Sequence, residues 1–364
     1  MTLQQNHRLL WGAIASCDGV GSATLRRFLT HSTNPEDLWR ASSKTLEGTG
    51  AGSDLIRRFV RARATFDVAQ FEDQLVQADV RILLRTDSDY PIALKTIYDP
   101  PEVLFVRGAL PPPLPSIAVV GTRRPTDYGR QAIRRLIEPV VRAGIPIISG
   151  LALGTDAYAH EVALEHQGYT CAVLGSGVDE TSIYPSRNKE LAARILSQGG
   201  CVLSEFPLGT DPRPGYFPIR NRIIAGLVKA VVVIEAALDS GTLITARSAL
   251  EEGREVLAVP GSIWSDVSTG THQLLRSGAR LCADANDIFE ALNVDRVESC
   301  AQAQLVLPLT PDEQSLFEEL TSPQTADELS RRGDWSIGRI SQALSMLELK
   351  QLVVRLPNQT WGRN

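Results

Sequence analysis

Long apolar runs are missing from this 364-residue chain: even residues 230–234 fall far short of the roughly 20 residues a membrane span requires. Residues 1–10 hold Gln4, Gln5, Asn6, His7 and Arg8 and no apolar stretch, so no secretory signal is expected. Cysteine is scarce. Cys17, Cys171, Cys201, Cys282 and Cys300 are scattered without a C-x-x-C pair. That excludes a disulfide framework and a zinc-finger pattern, and fits a reducing, cytoplasmic setting. Neither G-x-x-x-x-G-K-[ST] nor G-x-S-x-G nor H-E-x-x-H occurs, which argues against P-loop nucleotide hydrolysis, a serine elbow and a zincin site. Excess positive charge is also lacking, since the net charge is −5, so any polyanion partner needs a local basic surface. What remains, 43% hydrophobic and 22% charged residues, is ordinary globular usage at a length that fits two or three domains.

The pattern divides the chain into three parts. Residues 1–78 read as helices separated by loops at 17–21, 32–35 and 48–52, with Leu9, Leu10, Ile14, then Leu25, Phe28, Leu29, then Leu55, Ile56, Phe59 at helical spacing. The segment Asp18-Gly19-Val20-Gly21-Ser22 joins two helices as a helix–hairpin–helix motif does, and residues 48–52 are its candidate partner hairpin; a plain αα-hairpin fits equally. From residue 79 to 292, continuously apolar β-branched runs (117–120, 145–149, 171–174, 231–234, 256–259) alternate with glycine turns and helical stretches. Such runs suit a parallel sheet covered on both faces, hence an α/β, Rossmann-like domain. Pro111–Pro113 and Pro115 stiffen the approach to its first central strand as extended chain. Residues 293–307 read as a linker. Residues 308–364 hold three helical patterns, then short strands around a Pro-Asn turn, the outline of a winged helix. That last segment carries six basic against eight acidic residues, so a protein–protein or vestigial role is expected of it rather than reading of duplex DNA. No internal repeat or low-complexity tract is evident.

In open parallel sheets, ligands gather beyond the carboxyl ends of the strands. Five such ends carry small or polar residues: Gly121-Thr122-Arg123, Ser149-Gly150, Gly175-Ser176-Gly177, Ser204-Glu205-Phe206 and Asp239-Ser240-Gly241-Thr242. Gly121 lets backbone approach a ligand, Thr122 can cap a helix, and Arg123 offers a planar fork for phosphate. Gly175-x-Gly177 lacks the third glycine of a dinucleotide fingerprint, Glu180 standing in its place, which argues against NAD or FAD. Ser149, Asp156 and His160 imitate a hydrolase triad, but a capping or helix-surface pair explains Asp156 and His160 better. His160 and His166 share no helical face, so no metal pair is expected. Charge combined with aromatics is the stronger signal. Five arginines and one acid lie between Arg123 and Arg135, and Tyr216-Phe217-Pro218-Ile219-Arg220-Asn221-Arg222 holds two aromatics, two arginines and no acid. That composition suits a channel gripping a sugar–phosphate backbone and stacking bases; core packing of the aromatics is the alternative.

The ordered series Val120-Gly121-Thr122-Arg123, Ser149-Gly150-Leu151-Ala152-Leu153-Gly154-Thr155-Asp156, Tyr184-Pro185-Ser186-Arg187-Asn188, Phe217-Pro218-Ile219-Arg220-Asn221-Arg222, Ser240-Gly241-Thr242 and Val259-Pro260-Gly261 resembles the DNA-processing protein A (DprA/Smf) family of natural transformation. The resemblance implies a Rossmann-like domain that binds single-stranded DNA, forms a homodimer and helps load RecA recombinase, with no catalytic residue, cofactor or metal. It places phosphate contacts on Gly121, Thr122, Arg123 and Arg187, and extends the interface to Arg220, Asn221 and Arg222. With the residues read directly, the expected interface also takes in Ser149, Gly150, Tyr216 and Phe217. The chain departs from the family pattern at Thr155, Ser176 and His272. The alternative is a nucleotide-processing hydrolase similar to the phosphoribohydrolases, whose P-G-G-x-G-T-x-x-E loop is broken here at Ser262 and Thr245.

Overall fold

The computed structural model describes residues 3–294, 309–320, 324–332, 335–350, 352–355 and 360–363. The chain divides into two compact units, Met1–Val297 and Glu298–Asn364. Most of the expected linker, residues 295–307, lies outside the described residues.

The first unit is built on nine strands: β1 (Arg81–Leu84), β2 (Val103–Gly108), β3 (Ile117–Val120), β4 (Ile147–Ser149), β5 (Thr170–Val173), β6 (Cys201–Ser204), β7 (Ala230–Val233), β8 (Glu255–Ala258) and β9 (Arg280–Leu281). Their spatial order is β1-β2-β6-β5-β4-β3-β7-β8-β9. The six pairs from β6 to β9 run parallel, as the continuously apolar runs imply. The β1–β2 and β2–β6 pairs run antiparallel, so the sheet is mixed rather than wholly parallel. β1 and β2 are joined by residues 85–102, whose one helix among the described residues is the single turn Ile92–Lys95.

Alternation along each strand feeds a different core on each face. Ile117 and Val119 of β3 pack with Ile133, Ile137 and Ala159 from the helices Asp127–Arg142 and Thr155–Glu165. Ala118 and Val120 face the other way, onto Ile223, Ile224 and Ala246 of Tyr216–Leu227 and Thr242–Glu251. Each cluster holds at least one buried free cysteine: Cys282 in the first, Cys171 and Cys201 in the second.

A third cluster, which contains Cys17, crosses the boundary expected at residue 78. Trp11, Ile14, Phe28 and Phe59 of the N-terminal helices share one core with Phe105 of β2 and Ala172 of β5. The helices are therefore a layer of the first unit with no separate core of their own. They also hold a duplication where no repeat was expected. Gly-Val-Gly-Ser-Ala-Thr-Leu-Arg-Arg-Phe-Leu at residues 19–29 recurs as Gly-Ala-Gly-Ser-Asp-Leu-Ile-Arg-Arg-Phe-Val at residues 50–60.

The second unit packs Leu316, Leu329, Ile340 and Leu344 from helices Pro311–Glu319, Ala326–Arg332 and Ile337–Leu349 around one small core. Its sheet has three strands, with β10 (Gln324–Thr325) and β11 (Val353–Arg355) flanking β12 (Thr360–Arg363). This is the expected winged helix with one further short strand; the Pro-Asn turn lies outside the described residues. Among the described residues, no helix is long and apolar enough to cross a membrane.

Candidate nucleic-acid interface

A cleft of about 410 Å³ opens beyond the carboxyl ends of β3, β4 and β7. Strand order reverses there, since β4 and β7 flank β3, and such a switch point leaves a crevice between helices that leave on opposite faces. The floor is organised around one peptide. Gly150 N–H donates to the buried Asp156 carboxylate at 3.1 Å, and Gly150 C=O accepts from Arg220 Nη1 at 2.7 Å. A Cβ on Gly150 would sit 2.6 Å from the guanidinium, so only glycine fits. Arg220 also donates to the Val173 carbonyl. Burial lowers the Arg220 pKa to about 10, against the opposing pull of Asp156, and the neighbouring Arg123 lowers it further. Burial raises Asp156, while Arg220 and the Ala152 and Gly150 amides hold it down. Arg220 thus remains a cation beneath the cleft floor at neutral pH.

Aromatic rings line one side. Phe217, in the first turn of Tyr216–Leu227, has two guanidinium groups near its ring: Arg123 Cζ at 5.9 Å and Arg220 Cζ at 6.0 Å from its centroid. Tyr184, 44% exposed, tilts against Phe217 at 5.9 Å. Tyr216 stacks on Phe206 at 4.2 Å and carries Arg213 at 5.8 Å on its ring. The Tyr184 segment is pinned in place because the Asn188 amide donates to Leu151 O at 2.8 Å and Ala152 O at 3.2 Å.

Of the residues expected from sequence, the cleft gathers Gly121, Thr122, Arg123, Gly150, Phe217, Arg220 and Asn221. Arg187 is exposed in the turn Ser186–Asn188, and Tyr216 is half-buried beside Phe217; neither lines the cleft. Two residues are placed otherwise than expected. Ser149 is fully buried and its hydroxyl donates to Val119 O at 2.7 Å, so it braces two strands behind the cleft. Arg222 points away and is consumed in ion pairs with Asp99 and Glu205, because its helical position faces the 98–102 segment rather than the cleft. Tyr184 lines the cleft and was not among the expected residues, although the Tyr-Pro-x-x-Asn segment was a signal for it.

The loop after β3 also differs from expectation. The helix begins at Asp127 and its N-cap is Thr126, not Thr122. Its start already holds a side chain from another element. Glu235, at 2% exposure, accepts from Thr126 N at 2.9 Å and Thr126 Oγ1 at 2.5 Å, and a Cβ on Gly129 would meet that carboxylate. The amide and hydroxyl of this N-cap are therefore engaged by Glu235 rather than open to a ligand. Gly121, in turn, is required by Thr155, whose Oγ1 would lie 2.6 Å from an added Cβ.

Ser149 lies within hydrogen-bonding reach of Asp156, but His160 turns to Thr170 instead, so the three form no relay. Thr170 Oγ1 donates to Ile147 O, which leaves it to accept from the Nδ1–H of neutral His160 at 2.7 Å. Burial, seconded by Arg220, lowers the His160 pKa to about 3. Asp156 and His160 are both buried, so the expected surface pair is not formed either. Among the described residues no cluster of His, Cys, Asp and Glu could hold a metal ion.

The mixed sheet with its switch-point cleft, followed by a three-helix unit with a small hairpin, defines a Rossmann-like α/β protein with a C-terminal winged-helix domain. The profile of DNA recombination-mediator protein A matches residues 81–293, and that of the DprA winged-helix domain matches residues 301–359. The chain belongs to the DNA recombination-mediator protein A (DprA/Smf) family. It is 37% identical to protein Smf of Synechocystis over 84% of this chain and 78% of that one. The solved DNA processing protein A of Streptococcus pneumoniae superposes with a TM-score of 0.64 at 32% identity, covering 80% of this chain and 98% of that one. That of Helicobacter pylori, described for its unique single-stranded DNA binding mode, superposes at 0.52 and 31% identity over 59% of this chain and 95% of that one.

Proposed function

We infer that the cleft grips single-stranded DNA with little sequence preference, and that the protein delivers such strands to RecA recombinase during natural transformation. The observation that carries the reading is the half-buried Phe217 ring lining the cleft beside Arg123 and Arg220. A base stacks on the ring irrespective of its identity, while Arg123 meets the adjacent phosphate. Gly121, Thr122, Gly150 and Asn221 shape the surface around it, Arg220 contributes charge from below, and Arg187 and Tyr216 extend the track on one side. RecA loading and assembly as a homodimer through the Rossmann-like unit rest on family membership, supported by the relatives named above.

Single- and double-stranded oligonucleotides of equal length, titrated across a salt series, test the binding. Phe217→Ala should cost about 1–3 kcal/mol of single-strand affinity, and Phe217→Tyr should retain most of it. A flat salt dependence, or equal binding by the alanine variant, defeats the assignment. Acceleration of RecA filament growth on strands coated with single-strand-binding protein tests the second step; no stimulation at saturating protein counts against it.

A further inference from the structure

The duplicated segment of the N-terminal helices is distinct from the cleft and is not used by it. Its two copies, residues 19–29 and 50–60, match at Gly, Gly, Ser, Arg, Arg and Phe in the same order. They also match in conformation. The first glycine of each is left-handed, Gly19 at φ 82° and Gly50 at φ 73°. The second, Gly21 or Gly52, is the N-cap of the following helix and lacks a side-chain capping bond.

The copies contact each other reciprocally. Phe28 packs on its equivalent, Phe59, with ring centroids 5.3 Å apart. Arg27 reaches across to the second hairpin and donates to Gly50 O at 3.2 Å. Its equivalent, Arg58, reaches back to the first hairpin, 3.8 Å from Asp18 and against Gly19. Each copy thus places its second arginine on the other hairpin and its phenylalanine on the other phenylalanine, an approximately two-fold contact pattern.

Two further facts give this pair an outward use. Residues 1–65 carry nine basic and five acidic side chains in a chain whose net charge is −5. Arg27, Arg57, Arg58 and Arg61 of that set are exposed; Asp54 lies 3.4 Å from Arg57 and 3.1 Å from Arg58. Gly21 and Gly52 adopt extended backbone open to any residue, and an added Cβ would meet nothing within 4 Å. Both glycines are exposed, so a ligand backbone can approach the two hairpins closely at these positions.

We propose that the duplicated hairpins form a second nucleic-acid surface, one that binds the backbone of duplex DNA. The symmetry selects the ligand. The two strands of a duplex are antiparallel, so their phosphates are related by two-fold axes, and a two-fold protein surface engages both strands alike. A single strand has no such axis and fits one copy at a time. Backbone contacts by glycine-rich hairpins and arginines carry no base information, so the surface is indifferent to sequence. Together with the cleft, it equips the protein for a junction between duplex and single strand.

The test uses the full chain with a blunt duplex and, separately, a single strand, followed by fluorescence anisotropy between about 50 and 200 mM salt. Gly21→Ala/Gly52→Ala should leave the melting temperature unchanged, weaken duplex binding roughly tenfold and leave single-strand binding as it was. Arg57→Gln/Arg58→Gln should lower the salt slope for duplex by about two. Arg123→Ala should do the opposite of the glycine pair, reducing single-strand affinity and sparing the duplex. The proposal is overturned if the glycine pair binds duplex as tightly as the parent, or if Arg123→Ala abolishes duplex binding. Failure of single-strand binding alone would defeat the cleft reading and leave the duplex surface standing.

Discussion

Arg123 and Arg222 have the same side chain and both lie near strand ends, yet their surroundings give them opposite work. Arg123 is exposed, with one ring for company, and holds little of the fold together. Arg123→Ala should weaken single-strand binding about tenfold, since a charge-assisted hydrogen bond contributes about 1.5–3 kcal/mol, while the melting temperature barely moves. Arg123→Lys should rescue only partly, because an ammonium lacks the planar fork. A large stability loss in the alanine variant, measured on the same preparation as its affinity, would defeat this assignment. Arg222 behaves as a structural ion. Its side chain is 13% exposed against 7% for Glu205, which also accepts from Ser22 Oγ at 2.8 Å and ties the N-terminal helices to the sheet. Arg222→Ala leaves Glu205 buried without its cation and should destabilise the fold by about 3–5 kcal/mol, read as the shift of a urea midpoint. Arg123 was legible in the sequence as an arginine at a strand end, and Arg222 as a basic residue in a segment with two aromatics. Their different fates were not, because the acids that claim Arg222 sit at positions 99 and 205 and only the fold brings them to it.

At the scale of elements, the strands at the centre of the sheet were the most legible, since β3, β5 and β7 are apolar on both faces and need two cores. Direction was harder to read. Apolar runs alone do not say that β2 lies antiparallel beside β6, because that depends on how the chain connects them. The start of the helix Asp127–Arg142 was misread for a related reason: the side chain it holds, Glu235, arrives from beyond β7. The helix Thr155–Glu165 is anchored to β5 by His160, and that anchor has a pH signature. The folded pKa of about 3 lies below the ordinary 6.5, so unfolding takes up a proton in the interval between them. The stabilisation is fully present above pH 6.5 and declines as pH falls toward 3, by up to about 1.4 kcal/mol per unit inside that window. Urea unfolding at pH 7, 6, 5 and 4 should show this slope, and His160→Gln should reduce it by nearly one proton. An unchanged slope in the variant would mean that His160 is already solvated and charged in the native state.

For the whole molecule, the three-part outline was readable from changes of periodicity, but the division of stability was not. Residues 1–78 look like a domain because they are helical, yet Trp11 and Phe59 bury themselves in the same cluster as Phe105 and Ala172. Contacts between residues so distant in sequence leave no local pattern. The cysteines make the consequence measurable. Four free thiols are buried at known depths, and burial pushes Cys17 and Cys282 up to about 12, which keeps them protonated and unreactive in the native state. In a Cys300→Ser background, alkylation therefore becomes a clock for each layer, with Cys17 timing the helices, Cys171 and Cys201 the sheet, and Cys282 the opposite face. A shared core requires the first clock to keep time with the second, so Cys17 should be alkylated in step with Cys171 and Cys201 at every urea concentration. Alkylation of Cys17 far in advance of the sheet thiols would show the N-terminal layer peeling off by itself.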